Sequence, residues 1–250
     1  MDTERGDPPI LEVAGIVAGY GAMTILNGTS FNVRRGTITT IVGPNGAGKS
    51  TVFKTVFGLL KAKSGRVLVD GRDITNATPR RLLELGLCYI PQGRNIFPEL
   101  SVRHNLELGA VSMPSADVRG RVAAALEHFP VLRHKANHQA STLSGGEQKL
   151  LEVARGLLRS PKLILIDEPS IGLSPLMVQE VFGILRDLRK RGTTVLMVEQ
   201  NARSALAMSD DGIILELGRT RMTGCAETLL KDPAVGHLFL GGSIGTVVSH

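Results

Sequence analysis

A glycine-rich turn with a lysine and a hydroxyl group is the part of the sequence best suited to chemistry. It fits the pattern of a glycine, four variable residues and then Gly-Lys-Ser or Gly-Lys-Thr. Its residues are Gly43, Pro44, Asn45, Gly46, Ala47, Gly48, Lys49 and Ser50, followed by Thr51. Backbone N–H groups of such a turn can approach phosphate oxygens closely, which side chains at Gly46 and Gly48 would hinder. Lys49 would place a charge on the β- and γ-phosphates and Ser50 a hydroxyl on Mg²⁺, so the turn predicts a nucleoside triphosphate site.

A second glycine-bearing turn stands before an apolar helical pattern and comprises Ser144, Gly145, Gly146 and Glu147. As Ser-x-x-Glu it is an ordinary capping box, in which Ser144 accepts from the N–H of Glu147 and the Glu147 side chain reaches back. Such a helix start needs no function. Capping does not explain the two glycines, however, since each lowers helix stability by about 0.8–1 kcal/mol relative to alanine. We interpret them as room for an anion, such as a terminal phosphate, at the helix N-terminus.

Two carboxylates follow a continuous apolar run. Residues 163–166 read Leu-Ile-Leu-Ile, which is typical of a strand buried on both faces of a parallel sheet, and Asp167 and Glu168 come next. Open α/β sheets place ligands at the carboxyl ends of their strands, so both carboxylates should lie beside the phosphate-binding turn. Asp167 suits the Mg²⁺ shell, and Glu168 could orient or deprotonate an attacking water. An isolated Asp-Glu-Pro would instead indicate a surface turn.

The surrounding patterns predict the elements that position these groups. Residues 37–42 are β-branched and read as a buried strand, and the helical spacing of residues 51–57 ends at Gly58. The alternating stretch up to residue 33 suggests an antiparallel edge sheet. Residues 93–142 read as an inserted helical subdomain between two parts of one core lobe, 1–92 and 143–250. A strand pair near residues 212–223 and a last helix near 226–240 complete an α/β fold, and residues 241–250 are expected to be loosely ordered.

These motifs, in this order, resemble those of the ATP-binding subunit of ABC transporters over nearly the whole chain. Residues 43–50 are similar to Walker A, residues 143–147 to the signature, and residues 163–167 to Walker B, with Glu168 as catalytic glutamate. Tyr20 matches the aromatic that stacks on adenine, with ordinary packing as the alternative, and Gln92 matches the Q-loop glutamine that touches Mg²⁺ and the water. The resemblance implies a P-loop NTPase fold, ATP and Mg²⁺ as cofactors, and ATP hydrolysis.

The resemblance also implies that one chain holds no complete active site. In the family, the signature of one subunit completes the site built by the Walker A of another, so ATP would join two subunits head to tail. The γ-phosphate would lie between Lys49 and residues 144–146 of the partner. Further implied partners are two transmembrane permease subunits and, indirectly, a periplasmic or extracellular solute-binding protein. Arg94, Ile96 and Phe97 are candidates for the permease contact, with core burial of Ile96 and Phe97 as the alternative.

Three stretches narrow the resemblance to the LivF-type ATPase of branched-chain amino acid importers: residues 91–98, 167–175 and 198–202. None of them would contact the solute. ATPases of urea importers, of lipid or lipopolysaccharide exporters, and non-transport ABC ATPases remain alternatives. Gln200 occupies the place of the family's switch histidine, and Ser174 stands where aspartate is frequent. Since glutamine cannot relay a proton, we expect slower hydrolysis here than at a histidine-bearing partner site, which favours a heterodimer over a homodimer.

The resemblance implies a protein that associates peripherally with the cytoplasmic face of the inner (plasma) membrane, and the composition is consistent with this. No apolar run approaches the roughly eighteen residues that would span a bilayer, and the N-terminus does not read as a signal peptide. The net charge is +6, but Lys and Arg are scattered and tryptophan is absent, which argues against nucleic acid as a partner. Cys88 and Cys225 lack metal-site spacing and are expected to be reduced thiols, and His134 and His138 have no apparent third ligand.

Overall fold

The computed structural model describes residues 8–111 and 113–239. Within them the strands are β1 (Leu11–Tyr20), β2 (Met23–Val33), β3 (Ile38–Val42), β4 (Ala62–Val69), β5 (Arg72–Asp73), β6 (Leu87–Ile90), β7 (Leu163–Asp167), β8 (Thr194–Val198), β9 (Asp211–Glu216) and β10 (Arg219–Cys225). The helices are α1 (Lys49–Val56), α2 (Pro79–Glu84), α3 (Val102–Gly109), α4 (Ser115–His128), α5 (Pro130–His134), α6 (Gly145–Leu157), α7 (Pro175–Lys190), α8 (Ala202–Met208), α9 (Ala226–Lys231) and α10 (Pro233–Phe239), with a short 3-10 helix at Ala140–Thr142. The tail 241–250, for which loose order was expected, lies outside the described residues. Residues 1–7 also lie outside them.

A six-stranded sheet of order β10-β9-β3-β8-β7-β6 forms the centre of the fold. Strands β9, β3, β8, β7 and β6 run parallel, and β10 joins the edge antiparallel to β9. Every residue of β3, β7 and β8 is buried, as is typical of parallel strands covered on both faces. The loops that follow β3, β6, β7 and β8 therefore emerge at the same edge, and they carry the predicted site residues other than Tyr20 and residues 144–147.

A second sheet is antiparallel, with the order β2-β1-β4-β5. Its inner face packs with helix α1 in one hydrophobic cluster that includes Ile16, Leu26 and Phe53. The sequence predicted the β1–β2 part of this sheet but did not place β4 and β5, which follow α1 and return to the edge of β1. The predicted α/β class, with a mainly parallel core sheet, an antiparallel edge sheet and inserted helices, is confirmed.

The described elements between residues 93 and 142 are helices α3, α4 and α5 with the short 3-10 helix. They share one apolar cluster with α6, to which Val102, Leu106, Val122 and Leu132 contribute. The buried side chain of Asn105 fixes the preceding loop, since it accepts from the N–H of Phe97 and donates to its carbonyl oxygen, each at 2.8 Å. The division into a core lobe (1–92 and 143–250) and a helical subdomain (93–142) stays a prediction.

One helix prediction needs correction. The last helix, expected as one element near residues 226–240, is divided into α9 and α10 because Pro233 lacks the N–H that an uninterrupted helix requires. The helix predicted over residues 116–129 is confirmed as α4 (Ser115–His128), and a separate helix, α5, starts at Pro130. In the part of the chain that the structure describes, no helix is long and apolar enough to cross a membrane.

Candidate nucleotide site

The phosphate-binding turn connects β3 to α1 in a conformation that its own glycines make possible. Gly46 and Gly48 have φ values of 81° and 100°, in the left-handed region that favours glycine. A Cβ on Gly48 would also lie 2.9 Å from Leu26 Cδ2, and one on Gly43 would lie 2.1 Å from the carbonyl oxygen of Leu215. Backbone shape and close packing therefore require these glycines, in addition to the phosphate approach that the sequence suggested.

Lys49, at the start of α1, is only 6% exposed and folds back onto the turn. Its Nζ donates to the carbonyl oxygens of Gly43 at 2.8 Å and Pro44 at 3.0 Å. Burial lowers the pKa of Lys49, although the carboxylates of Glu168 and Asp167 oppose that shift. An ammonium group has three N–H donors, so one remains for a phosphate oxygen.

Asp167, the last residue of β7, receives two hydroxyl groups. Ser50 Oγ donates to its Oδ1 at 3.2 Å, and the Tyr89 hydroxyl donates to its Oδ2 at 3.3 Å. Burial raises the pKa of Asp167, and these two hydrogen bonds oppose the shift. A hydroxyl beside a carboxylate supplies the hard oxygen ligands that Mg²⁺ prefers, with phosphate oxygens and water completing the shell. The residues present thus fit the predicted ion.

Tyr89 was missed by the sequence interpretation. It lies on β6 and pairs with Leu165 of the parallel neighbour β7, which brings its hydroxyl within reach of Asp167. A partial signal was available, because Tyr89 stands three residues before Gln92 in a run that reads as a strand. Its partner could not be foreseen without the strand order.

Glu168 continues β7 with an uncommon backbone conformation. Its φ is 49°, which non-glycine residues seldom adopt, and its N–H donates to the carbonyl oxygen of Val198 at 2.9 Å. Gln92 Nε2 donates to Glu168 Oε2 at 2.7 Å, so two of the three predicted catalytic residues are in direct contact. Burial and the neighbouring charge of Asp167 raise the pKa of Glu168, against the influence of Lys49.

Two other predicted residues are exposed at the periphery. Gln200 follows β8, between the ends of β3 and β7, and is exposed. Tyr20 ends β1 with 48% of its surface exposed, and Lys54 Nζ of α1 lies 5.9 Å from the centroid of its ring. An aromatic face is therefore available to solvent beside the helix that begins at the phosphate-binding turn.

The turn of residues 144–147, called the signature turn below, forms the expected capping box. Ser144 Oγ accepts from the N–H of Glu147 at 3.3 Å, and Glu147 Oε2 accepts from the N–H of Ser144 at 2.9 Å. Lys135 Nζ adds an ion pair of 2.7 Å to Glu147. Burial alone would raise the pKa of Glu147, but the hydrogen bonds from Lys135 and Ser144 outweigh it and lower the pKa. These contacts run among the helical elements rather than to residues 43–50.

The two glycines of the signature turn differ in their surroundings. A Cβ on Gly146 would lie 2.4 Å from Met177 Cε and 2.7 Å from its Cγ, whereas a Cβ on Gly145 would meet nothing within 4 Å. Packing against α7 therefore accounts for Gly146, a reason that the sequence interpretation did not consider. Gly145 is the glycine that leaves open space at the helix N-terminus.

A buried ion pair ties the segment after Gln92 to helix α6. Lys149 Nζ lies 2.6 Å from Glu152 Oε2, and Glu152 Oε1 accepts from the N–H of Asn95 at 2.6 Å. The Asn95 side chain donates to the carbonyl oxygens of Pro91 and Gly93, on either side of Gln92. The i,i+3 spacing of Lys149 and Glu152 gives no signal of this role, since on most helices such a pair is solvated.

A groove lies beside this connection. A cavity of about 430 Å³ is lined by Pro91, Asn95, Ile96, Phe97, Leu108, Gly109 and Arg155. Phe97 is 50% exposed, with Arg155 Cζ 5.9 Å from its ring centroid, while Ile96 packs partly against the core. Arg94 is exposed. Core burial therefore applies to Ile96 in part and not to Phe97.

Comparisons with known proteins identify the family of this chain. The ABC transporter family matches residues 26–171. The high-affinity branched-chain amino acid transport ATP-binding protein BraG of Pseudomonas aeruginosa is 39% identical over 223 residues, covering 89% of this chain and 96% of the relative. The probable branched-chain amino acid transport ATP-binding protein LivF of Archaeoglobus fulgidus is 38% identical over 233 residues, covering 93% of this chain and 99% of the relative.

A transport protein of another kind is also similar. The lipopolysaccharide export system ATP-binding protein LptB of Acidithiobacillus ferridurans is 32% identical over 236 residues, covering 93% of this chain and 97% of the relative. Among solved structures, the ADP conformation of an ATP-binding cassette of an ABC transporter superposes with a TM-score of 0.84 at 31% identity, covering 94% of this chain and 99% of that chain.

Proposed function

Because this chain belongs to the ABC transporter family of ATP-binding proteins, we propose that it powers an importer of branched-chain or other hydrophobic amino acids. Hydrolysis of ATP is characteristic of the family. The proposal rests on the polar side chains gathered at one edge of the central sheet, where Ser50 donates a hydrogen bond to Asp167 and Gln92 donates one to Glu168. The higher identity to the two amino acid relatives supports the class of solute.

We assign the site residues as follows. Residues 43–51 surround the phosphates with backbone N–H groups, Lys49 donates to the β- and γ-phosphates, and Tyr20 stacks on adenine. Ser50, Asp167 and Gln92 would hold Mg²⁺, which when bound neutralises charge on the phosphate oxygens. Glu168 accepts the proton of the attacking water, and Gln92 orients that carboxylate through the hydrogen bond between them.

ABC ATPases act as dimers with transmembrane permease subunits. For this chain we propose that the signature turn, residues 144–147, contacts the γ-phosphate bound to a partner subunit. The permease would occupy the groove beside Phe97, which places the chain peripherally at the cytoplasmic face of the membrane and makes its contact with a solute-binding protein indirect. A helical subdomain of residues 93–142 would then transmit contact with the permease to Gln92 through Asn95 and Glu152.

Gln200 is the basis for proposing a heterodimer. Its amide can donate to a γ-phosphate but cannot carry a charge or relay a proton. The site of this chain would therefore bind ATP well and hydrolyse it more slowly than a histidine-bearing site. The test replaces Gln200 by histidine in the assembled transporter, where we expect turnover to rise; an unchanged turnover would argue against this asymmetry.

The deciding experiment for the function is reconstitution. The chain is purified with the permease and the second ATPase that neighbouring genes encode. The complex is placed in liposomes and assayed for ATP-dependent uptake of leucine, isoleucine and valine. The same complex with Glu168→Gln serves as the control in which the site of this chain is inactive. Uptake that requires Glu168 supports the proposal, whereas recovery of the chain with lipid-exporting membrane proteins would favour the second candidate, lipopolysaccharide export, to which the similarity with LptB points.

A further inference from the structure

Glu199 is a buried carboxylate that the nucleotide chemistry above does not use. It is the first residue after β8 and is 1% exposed. Its Oε1 accepts from the N–H of Ser170 at 2.8 Å, and its Oε2 accepts from Ser170 Oγ at 2.8 Å and from the N–H of Gln200 at 3.2 Å. All three donors are neutral. Burying a carboxylate costs free energy unless hydrogen bonds satisfy it, so the role of Glu199 lies in the three groups that donate to it.

Those donor groups belong to Ser170, which lies close to Glu168, and to Gln200. Glu168 and Gln200 are both assigned to hydrolysis. Ser170 follows Glu168 by two residues, and Gln200 is the next residue after Glu199. The turn that begins at Glu168 has a left-handed backbone conformation at its first residue, which persists only when its surroundings enforce it. Glu199 supplies part of that enforcement, since it extends the contact between β7 and β8 beyond the last sheet bond, from the N–H of Glu168 to the carbonyl oxygen of Val198.

We propose that Glu199 is a positioning residue, which fixes the Glu168 turn and Gln200 relative to each other. The Glu168 carboxylate and the Gln200 side-chain amide then face the same γ-phosphate and attacking water. The inference rests on the proposed function but adds a residue to it. In this role Glu199 acts through Ser170 and Gln200, to which it is hydrogen-bonded. Because a displacement of about 1 Å at a reacting group can cost up to about 100-fold in rate, loss of this brace should lower turnover more than affinity.

Ser170 allows a test that leaves the carboxylate in place. Ser170→Ala removes one of the three donors, and Ser170→Thr keeps the hydroxyl. The matched control is Ser209→Ala, which removes another partly buried hydroxyl, just before β9 at the opposite edge of the sheet. That hydroxyl donates to the carbonyl oxygen of Ala205 at 2.8 Å and also pairs with the hydroxyl of Thr40 on β3. In the complex of the chain with its permease and partner ATPase subunits, we expect Ser170→Ala to lower kcat about tenfold. KM for ATP should stay nearly constant, with kcat restored in Ser170→Thr and unchanged in Ser209→Ala.

A second measurement does not depend on activity. In the nucleotide-free chain, Glu199→Gln leaves an amide N–H₂ facing the N–H of either Ser170 or Gln200, so amide hydrogen exchange should become faster both in residues 168–171 and in residues 199–201. Ser209→Ala should leave both segments unchanged. Faster exchange in one segment only would overturn the proposal, because a brace must act on both sides.

The outcomes separate two failures. A parent chain that neither binds nor hydrolyses ATP would overturn the proposed function, and the role of Glu199 with it. Normal turnover in both the parent and Ser170→Ala would overturn the role of Glu199 alone. A loss of kcat that Ser170→Thr fails to restore would also overturn it, since packing rather than the hydroxyl would then be responsible.

Discussion

The two glycine-bearing turns, residues 43–50 and residues 144–147, are both suited to anions but are built differently. The first has a left-handed backbone at two glycines, a buried ammonium group and a hydroxyl held by Asp167. The second is a regular helix start closed by a capping box. The first turn therefore brings its own charge and metal-binding groups, whereas the second offers a helix end, which suits a phosphate that another subunit holds.

Their glycines teach a related lesson. Gly46 is required by its backbone angle, Gly146 by the side chain of Met177, and Gly145 by neither. Glycine in a sequence motif can thus indicate a conformation, a packing contact or open space, and only the tertiary surroundings distinguish them.

The largest effect should come from Glu168→Gln, which tests whether hydrolysis takes place beside the first turn, where Glu168 follows β7. The amide keeps the size of the side chain but cannot accept a proton, so turnover should fall by about 10²–10⁴. ATP affinity should remain. Phosphate release and nucleotide binding measure the two, with Glu227→Gln on the exposed face of α9 as the matched control. Turnover at the parental rate would show that Glu168 is not the base.

The next effect separates the turns by the nucleotide that each serves. In the isolated chain, Lys49→Met should weaken ATP binding by about 10- to 100-fold, because a hydrogen bond to a charged group contributes about 1.5–3 kcal/mol. Ser144→Ala should leave that affinity unchanged and slow hydrolysis only when the partner subunit is present. Titration calorimetry at low protein concentration measures the two ATP affinities, and phosphate release with the partner present measures hydrolysis. Equal weakening by the two substitutions would mean that both turns bind one nucleotide within one chain.

A smaller effect concerns the stability of the second turn. Gly146→Ala should lower the free energy of unfolding by about 1–3 kcal/mol, because the new methyl group overlaps Met177. Gly145→Ala should raise it by up to about 1 kcal/mol, since it adds only helix propensity. Urea unfolding measures both, and Met177→Ala combined with Gly146→Ala should recover part of the loss. The same sign for both single substitutions would contradict the distinction between the two glycines.

The smallest effect is pH-dependent. The pKa of Glu147 is lowered in the folded chain, so its contribution is present above its unfolded pKa of about 4.3 and is lost as the pH falls through the folded pKa. At pH 7, Glu147→Gln should cost about 0.5–1 kcal/mol, given solvent screening of the partly exposed Lys135. Urea unfolding across the acidic range should show that cost shrinking towards zero. A cost that does not change with pH would assign it to packing instead.

Local patterns predicted much of this molecule because their causes are local. The phosphate-binding turn, the capping box at Ser144 and the carboxylates after β7 each depend on a few neighbouring residues, and each lies where the sequence placed it. The division of the last helix at Pro233 had a local cause too and could have been foreseen. The return of β4 and β5 to the edge sheet could not, because pairing with β1 depends on chain topology rather than on periodicity.

The sequence by itself thus determined which chemical groups are present and at which strand ends they stand. Only the tertiary structure decided which of them touch: Gln92 with Glu168, Ser50 with Asp167, and Tyr89 with the same carboxylate. These partners are 76, 117 and 78 residues apart in the chain. Their contacts follow from the order of parallel strands and from the burial that makes each hydrogen bond necessary, and no periodicity of the sequence records either.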